Sequence, residues 1–191
     1  KFPAQKQQIA AAHAVDPELV FEACIFETVF KSVEEIPIPS WVFEAFGRPV
    51  EKRNFKYDDM VFEDGTFADR WGANTGVPDM TRVESQMFFY YRACTYIDMG
   101  YEGLHMGQVH LMGARDTGWA GWQKMLNMVR AYAKTHARRG FVFINAHTSG
   151  MKGPDGKLLF DFHAYPYRGV APKGSVAHKP TEENPQKIEL R

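Results

Sequence analysis

Glu27 is the first residue whose position suggests chemistry. It closes a mostly apolar run, residues 19–27, and a carboxylate at the end of such a strand stands where parallel α/β folds carry their sites. There it could serve as nucleophile or general acid/base in glycosidic cleavage, which takes two carboxylates flanking the scissile bond. It could equally be a rim carboxylate paired with an arginine. Glu22 lies in the same run on the opposite strand face and reads as a structurally paired carboxylate. Asp116 and Asp161 are the candidates for the second carboxylate. Asp116 also suits a helix cap, and the role of Asp161 depends on the direction of its strand.

Neutral hydrogen-bonding groups gather on the other apolar segments. The second carries His105, Gln108 and His110, the third ends in Asn145 and His147, and the fourth holds His163, so four of the seven histidines fall there. Gln108 and Asn145 suit a hydroxyl-rich ligand, or they orient neighbours. Trp71 and Trp119 fall in loops, where an indole either forms a platform for a ligand or pins the loop to the core. A metal-dependent hydrolase built on His105, His110, His147 and Asp161 is a further alternative. No HxH or HExxH spacing supports it, and His105 and His110 point to opposite faces of a strand. No metal is therefore expected, and no cofactor.

The elements that must position these groups recur as helix, short link and apolar strand. A helix is expected over residues 4–14, ended by Asp16-Pro17, and then the strand 19–27, whose apolar run predicts cover on both faces. Thr81 and Glu84 have capping-box spacing. Val83, Met87, Tyr90, Cys94 and Ile97 then share one helical face. Gly100 suits the cap after that helix, and residues 104–112 read as the second strand, interrupted at Gly107. Asp116 or Thr117 opens the next helix, with Trp122, Leu126, Val129 and Ala133 on its apolar face. Arg138 and Arg139 stand at its negative end, and residues 141–145 form the third strand.

The strand-to-helix connection over residues 28–80 is far longer than the helix-to-strand links, with a short helix expected near 40–46. Long loops of this kind are usually functional. Residues 157–163 look like a fourth strand. It follows the third so closely, across Pro154-Asp155-Gly156, that an antiparallel excursion is expected. Residues 169–186, rich in Pro, Lys and Glu, read as an exposed loop, and 187–191 as the start of a further strand. The expected organisation is thus a segment 1–168 followed by 169–191.

Alternating helices and apolar strands predict an α/β protein with a parallel sheet. The reading adopted is a (β/α) TIM-barrel-like architecture, a partial barrel or a fragment of a longer chain, because so few strands cannot close a barrel. A doubly wound open sheet has the same polarity, but no GxGxxG or P-loop pattern follows a strand.

Composition bounds the function. The 191 residues carry 23 basic and 23 acidic side chains, so no charge excess points to nucleic acid or an anionic membrane. No apolar run approaches the ~20 residues of a membrane span, and no signal-peptide pattern opens the chain. The chain starts at Lys1 rather than Met, which leaves its compartment open. Cys24 and Cys94 read as free buried thiols, with no zinc-like spacing.

Several segments resemble strands of poorly characterised glycoside-hydrolase-like (β/α)8 barrel proteins. They are residues 16–27, Gly103-Leu104-His105-Met106-Gly107-Gln108, residues 137–147 and Phe160-Asp161-Phe162-His163, and the likeness covers roughly residues 4–168. It implies a glycosidase-like hydrolase acting on a polysaccharide or glycoconjugate, and it alone tilts the compartment toward outside the cytoplasm. The rival is a carbohydrate-binding barrel without catalysis. Both readings require Glu27, His105 or Gln108, and Asn145 or His147 to emerge at a common rim.

Overall fold

The structure, a computed structural model, describes residues 2–148, 150–163, 168–169 and 188–189. Its centre is a parallel sheet of four strands: β1 (Glu22–Cys24), β4 (Gly103–His105), β5 (Phe143–Ala146) and β6 (Phe162–His163), in that spatial order. Two antiparallel pairs stand apart from it, β2 (Val29–Phe30) with β3 (Thr75–Gly76) and β7 (Arg168–Gly169) with β8 (Ile188–Glu189). The helices are α1 (Phe2–Val15), α2 (Ser40–Ala45), α3 (Val83–Asp98), α4 (Val109–Met112) and α5 (Ala120–His136). Among the described residues no helix is long and apolar enough to cross a membrane.

The sheet is open, and this overturns the TIM-barrel expectation. β1 and β6 are its two edges and do not pair with each other. Closure requires a tilted, staggered ring of about eight strands. The molecule is a mixed α/β fold in which consecutive parallel strands lie side by side.

The core lies on one face of this sheet. α3 and α5, which link β1 to β4 and β4 to β5, pack against each other. They lie over Ala23, Ile25, Leu104, Met106, Ile144 and Ala146, all buried. The helical faces read from spacing are the ones used: Met87, Tyr90, Cys94 and Ile97 of α3 and Trp122, Leu126, Val129 and Ala133 of α5 are buried. The opposite sheet face is only partly covered among the described residues: His105 and Asn145 are buried on it, while Phe26 is 57%, Phe143 38% and Phe162 47% exposed. The run 19–27 is therefore not covered on both faces. It is apolar on both sides, but helices pack on only one.

Other local expectations change for identifiable reasons. The Thr81–Glu84 capping box does not form. The Glu84 carboxylate accepts both guanidinium nitrogens of Arg53, at 2.6 and 3.0 Å, and the Lys56 amide at 3.0 Å. This bidentate pair fastens residues 28–82 to the start of α3. That stretch is no bare loop, since Val42, Phe43, Phe55, Met60, Phe62 and Val77 enter the core. The second strand stops at His105 and gives way to α4, so His110 is helical. β6 runs parallel to β5, not antiparallel. Among the described residues between β5 and β6 there is no helix, and a small excursion is bridged at Lys152 and Leu158. Arg138 and Arg139 reach the buried Glu102 carboxylate at 3.0 and 2.5 Å, pinning the end of α5 to the start of β4. The expected loop 169–186 lies outside the described residues except for Gly169.

Asp116 takes the capping role. Its carboxylate accepts the amides of Gly121 at 2.9 Å and Trp122 at 3.0 Å, orphan donors of the first turn of α5. Asp116→Ala should cost about 1–3 kcal/mol, because two buried donors lose their acceptor. Chemical denaturation measures it, and an unchanged midpoint would remove Asp116 from the helix-capping account.

Candidate functional site

Parallel register sets the level of every candidate. Cys24, His105 and Asn145 are consecutive partners across β1, β4 and β5. The next residues emerge at the carboxyl ends of the strands, the expected end for a site in an α/β sheet. There the structure separates the candidates into two groups, one on each side of the sheet.

The first group centres on Glu27, only 7% exposed. Its Oε2 accepts the Gln108 backbone N–H at 3.0 Å and its Oε1 the Gln108 side-chain amide at 2.8 Å. Gly107 makes this possible. Its φ is +68°, and a Cβ there would lie 2.0 Å from Glu27 Oε2. The chain thus passes close to the carboxylate only because residue 107 has no side chain. The neighbouring His147 N–H donates to the Gly107 carbonyl at 2.8 Å, so the end of β5 is tied to the same turn.

Glu27 opens on a cavity of about 520 Å³ along the free edge of β1, lined also by Phe26, Phe30, Ser32, Trp71 and Arg92. The Trp71 loop is held in an unusual backbone: Phe67, Asp69 and Asn74 have φ of 61°, 52° and 63°. Non-glycine residues rarely adopt these values, which cluster at functional loops. Asp69 stabilises the turn by accepting the Asn74 amide at 2.8 Å. Trp71 remains 45% exposed, with the Arg70 guanidinium 5.3 Å from its ring.

The second group lies on the other, partly exposed sheet face. Asn145 is 1% exposed and His105 7%. The Asn145 amide nitrogen donates to Glu22, and its oxygen lies 2.6 Å from His105 Nδ1. An ionised carboxylate only accepts, so Asn145 must turn its nitrogen to Glu22 and its oxygen to His105. His105 Nδ1 then carries a proton, and Nε2 of the neutral ring is left as an acceptor. The His147 ring meets the His105 ring edge-on at 4.6 Å. Glu22 thus has a structural partner, as its mid-strand position suggests.

The remaining candidates stand elsewhere. His110 Nε2 lies 3.1 Å from the Thr148 hydroxyl and its ring packs edge-on to Trp119. Burial lowers its pKa, favouring the neutral ring. Asp161 accepts the Ile144 amide at 2.7 Å and the Arg130 guanidinium at 3.1 Å, which spends it on joining β5 to β6 and α5. His163 belongs to β6, and its side chain lies outside what is described. Among the described residues no group of three or more His, Cys, Asp or Glu side chains could hold a metal ion. His105, His110, His147 and Asp161 are dispersed between the partly exposed face, α4 and the β5–β6 edge.

Arg92 is the cavity residue that motif reading misses. A signal was present: it lies in the apolar stretch of α3 with Phe88 and Phe89 before it and Thr95 and Tyr96 after it at helical contact spacing, so no acidic residue of its own helix can pair with it.

No protein-family model matches the chain, and no match is found among curated proteins or solved structures. The site is therefore read from its own geometry.

Gly107→Ala would force the left-handed turn to open and push the Glu27 carboxylate from Gln108. The expected cost is more than about 1 kcal/mol of stability. Because the new Cβ would overlap Oε2, Glu27 should also lose its fixed position in a crystal structure of the variant. A variant of native stability with the Gln108–Glu27 bonds intact would show that the turn does not seat the carboxylate.

Proposed function

We propose that the chain binds a carbohydrate in the cavity beside Glu27. One observation carries the reading: a single cavity of about 520 Å³ joins an oriented carboxylate, a hydroxyl and a guanidinium to the aromatic faces of Phe26, Phe30 and Trp71. The volume falls within the range of small-molecule sites, about 300–1,000 Å³. Carbohydrates offer two kinds of surface, apolar C–H faces and hydroxyl edges, and this lining answers both. β1 adds backbone groups. Its Ile25 amide bonds across to His105, so the alternate Cys24 and Phe26 groups point to the free edge where the cavity lies. The resemblance of the strand segments to glycoside-hydrolase-like sequences supports the same reading.

Hydrolysis of a glycosidic bond at this site is the second reading. It is favoured by the fixed orientation of Glu27, both of whose oxygens are held by Gln108. A carboxylate so held is preorganised for nucleophilic or acid/base work. The reaction needs a second carboxylate, and Asp116 and Asp161 are occupied in capping α5 and joining β5 to β6. Binding is accordingly placed first.

A glycan array followed by calorimetry separates the two. Binding is expected in the wild-type chain, weakened about tenfold in Trp71→Ala, which corresponds to about 1.4 kcal/mol. Glu27→Gln keeps the shape and an acceptor for Gln108. If the site is catalytic, this variant should retain binding while turnover falls by about a hundredfold or more. Turnover equal in both proteins would remove Glu27 from the chemistry, and no binding across the array would overturn the carbohydrate reading.

A further inference from the structure

We infer that the ligand of this cavity is acidic, a carbohydrate bearing a carboxylate, and that Arg92 is the residue that receives its charge. The inference rests on the carbohydrate reading and names the class of sugar within it.

A guanidinium carries five N–H donors in a planar fork that matches a carboxylate. Among the described residues, other partly buried arginines have such partners. Arg53 is closed by Glu84 and Glu51, and Arg138 and Arg139 by Glu102. Arg92 forms no ion pair among the described residues, and one NH2 group donates to the Tyr96 hydroxyl. Its Nε is buried without any hydrogen-bond partner. The rest of its environment is aromatic, with the Phe88 ring 6.0 Å and the Tyr96 ring 5.0 Å from the guanidinium carbon. Ring faces attract a cation but do not satisfy its N–H groups. A donor withdrawn from water and left unpaired is costly.

Glu27 does not relieve this. It lines the same cavity, but its two oxygens are already held by Gln108 and it makes no ion pair with Arg92. The cavity therefore presents a carboxylate whose two oxygens each already accept one bond, and a guanidinium that has no ion-pair partner among the described residues. The mismatch sets the chemistry of a fitting ligand. It should bring an anionic, planar acceptor to Arg92 while keeping its hydroxyl edges toward Glu27 and Ser32. A uronic acid residue has this form, with a carboxylate on one side of a hydroxylated ring. A charge-assisted, two-pronged pair of this kind is stronger than a neutral hydrogen bond.

The test uses the full chain with three probes: an oligogalacturonide, the same oligomer with its carboxyl groups reduced to alcohols, and citrate as a carboxylate without a sugar. Calorimetry should find the acidic oligomer bound at least about tenfold more tightly than the reduced one, the usual scale of a charge-assisted hydrogen-bond pair. Arg92→Gln should erase that difference, bringing affinity for the acidic oligomer down to the level of the reduced one. Arg92→Lys should restore part of it, since charge returns without the fork. An unchanged melting midpoint in both variants shows that the fold is retained. Equal binding of the two oligomers by wild type overturns the acidic-ligand inference and leaves the carbohydrate reading standing. Citrate binding that depends on Arg92, with neither oligomer bound, keeps the anion site and overturns the sugar. Failure of all three probes overturns both.

Discussion

The turn at Gly107 is the constraint on which the candidate site depends. Three strand ends meet there. The left-handed backbone ends β4 and carries the chain into α4. Its carbonyl receives the His147 amide from the end of β5. The space where a Cβ would stand is taken by the Glu27 carboxylate from the end of β1, and the next residue, Gln108, supplies both donors that hold it. A carboxylate that is only 7% exposed must have its oxygens answered, and this turn answers them. Without it Glu27 would be either desolvated and unpaired or turned out to solvent, and the wall of the cavity would change with it.

The surrounding fold is organised to keep that node in place. A sheet packed by helices on one face relies on edge attachments as much as on its core. Buried carboxylates supply them: Glu84 clamps residue 53 to α3, Glu102 holds the end of α5 to β4, and Asp116 caps α5. Each acidic group is spent on geometry, which is why most carboxylates that attract attention in the sequence are not free for chemistry. The same economy makes Arg92 conspicuous, a guanidinium lining a cavity and making no ion pair among the described residues.

Much of the element order was legible. The apolar faces of α3 and α5 follow from 3.6-residue spacing, and parallel β1, β4 and β5 follow from alternating helix and strand. Two kinds of misreading have physical causes. The strand 19–27 was read as covered on both sides because its residues are apolar on both sides, yet composition reports affinity for burial, not whether a partner arrives. Residues 104–112 were read as one interrupted strand because Gly107 does not reveal from spacing alone that its φ is positive, and that sign converts the second half into α4. The barrel expectation failed at a larger scale. It took a local rhythm shared by closed and open sheets as a sign of closure, which is a property of the whole ring of strands. For the site, the pairing of Glu27 with Gln108 lay beyond pattern reading. They stand 81 positions apart, and no periodic signal links them.

By itself the sequence determined which segments form helices and parallel strands, that polar groups collect at one end of those strands, and that Asp116 suits a cap. These follow from interactions between residues a few positions apart, whose geometry the chain enforces locally. Only the tertiary structure decided that Glu27, held by Gln108, lines one cavity with Arg92 while His105 and Asn145 lie on the opposite face of the sheet. It alone left Arg92 without a carboxylate partner among the described residues, because register, twist and the path of residues 28–82 are settled by long-range packing that no short window of sequence contains.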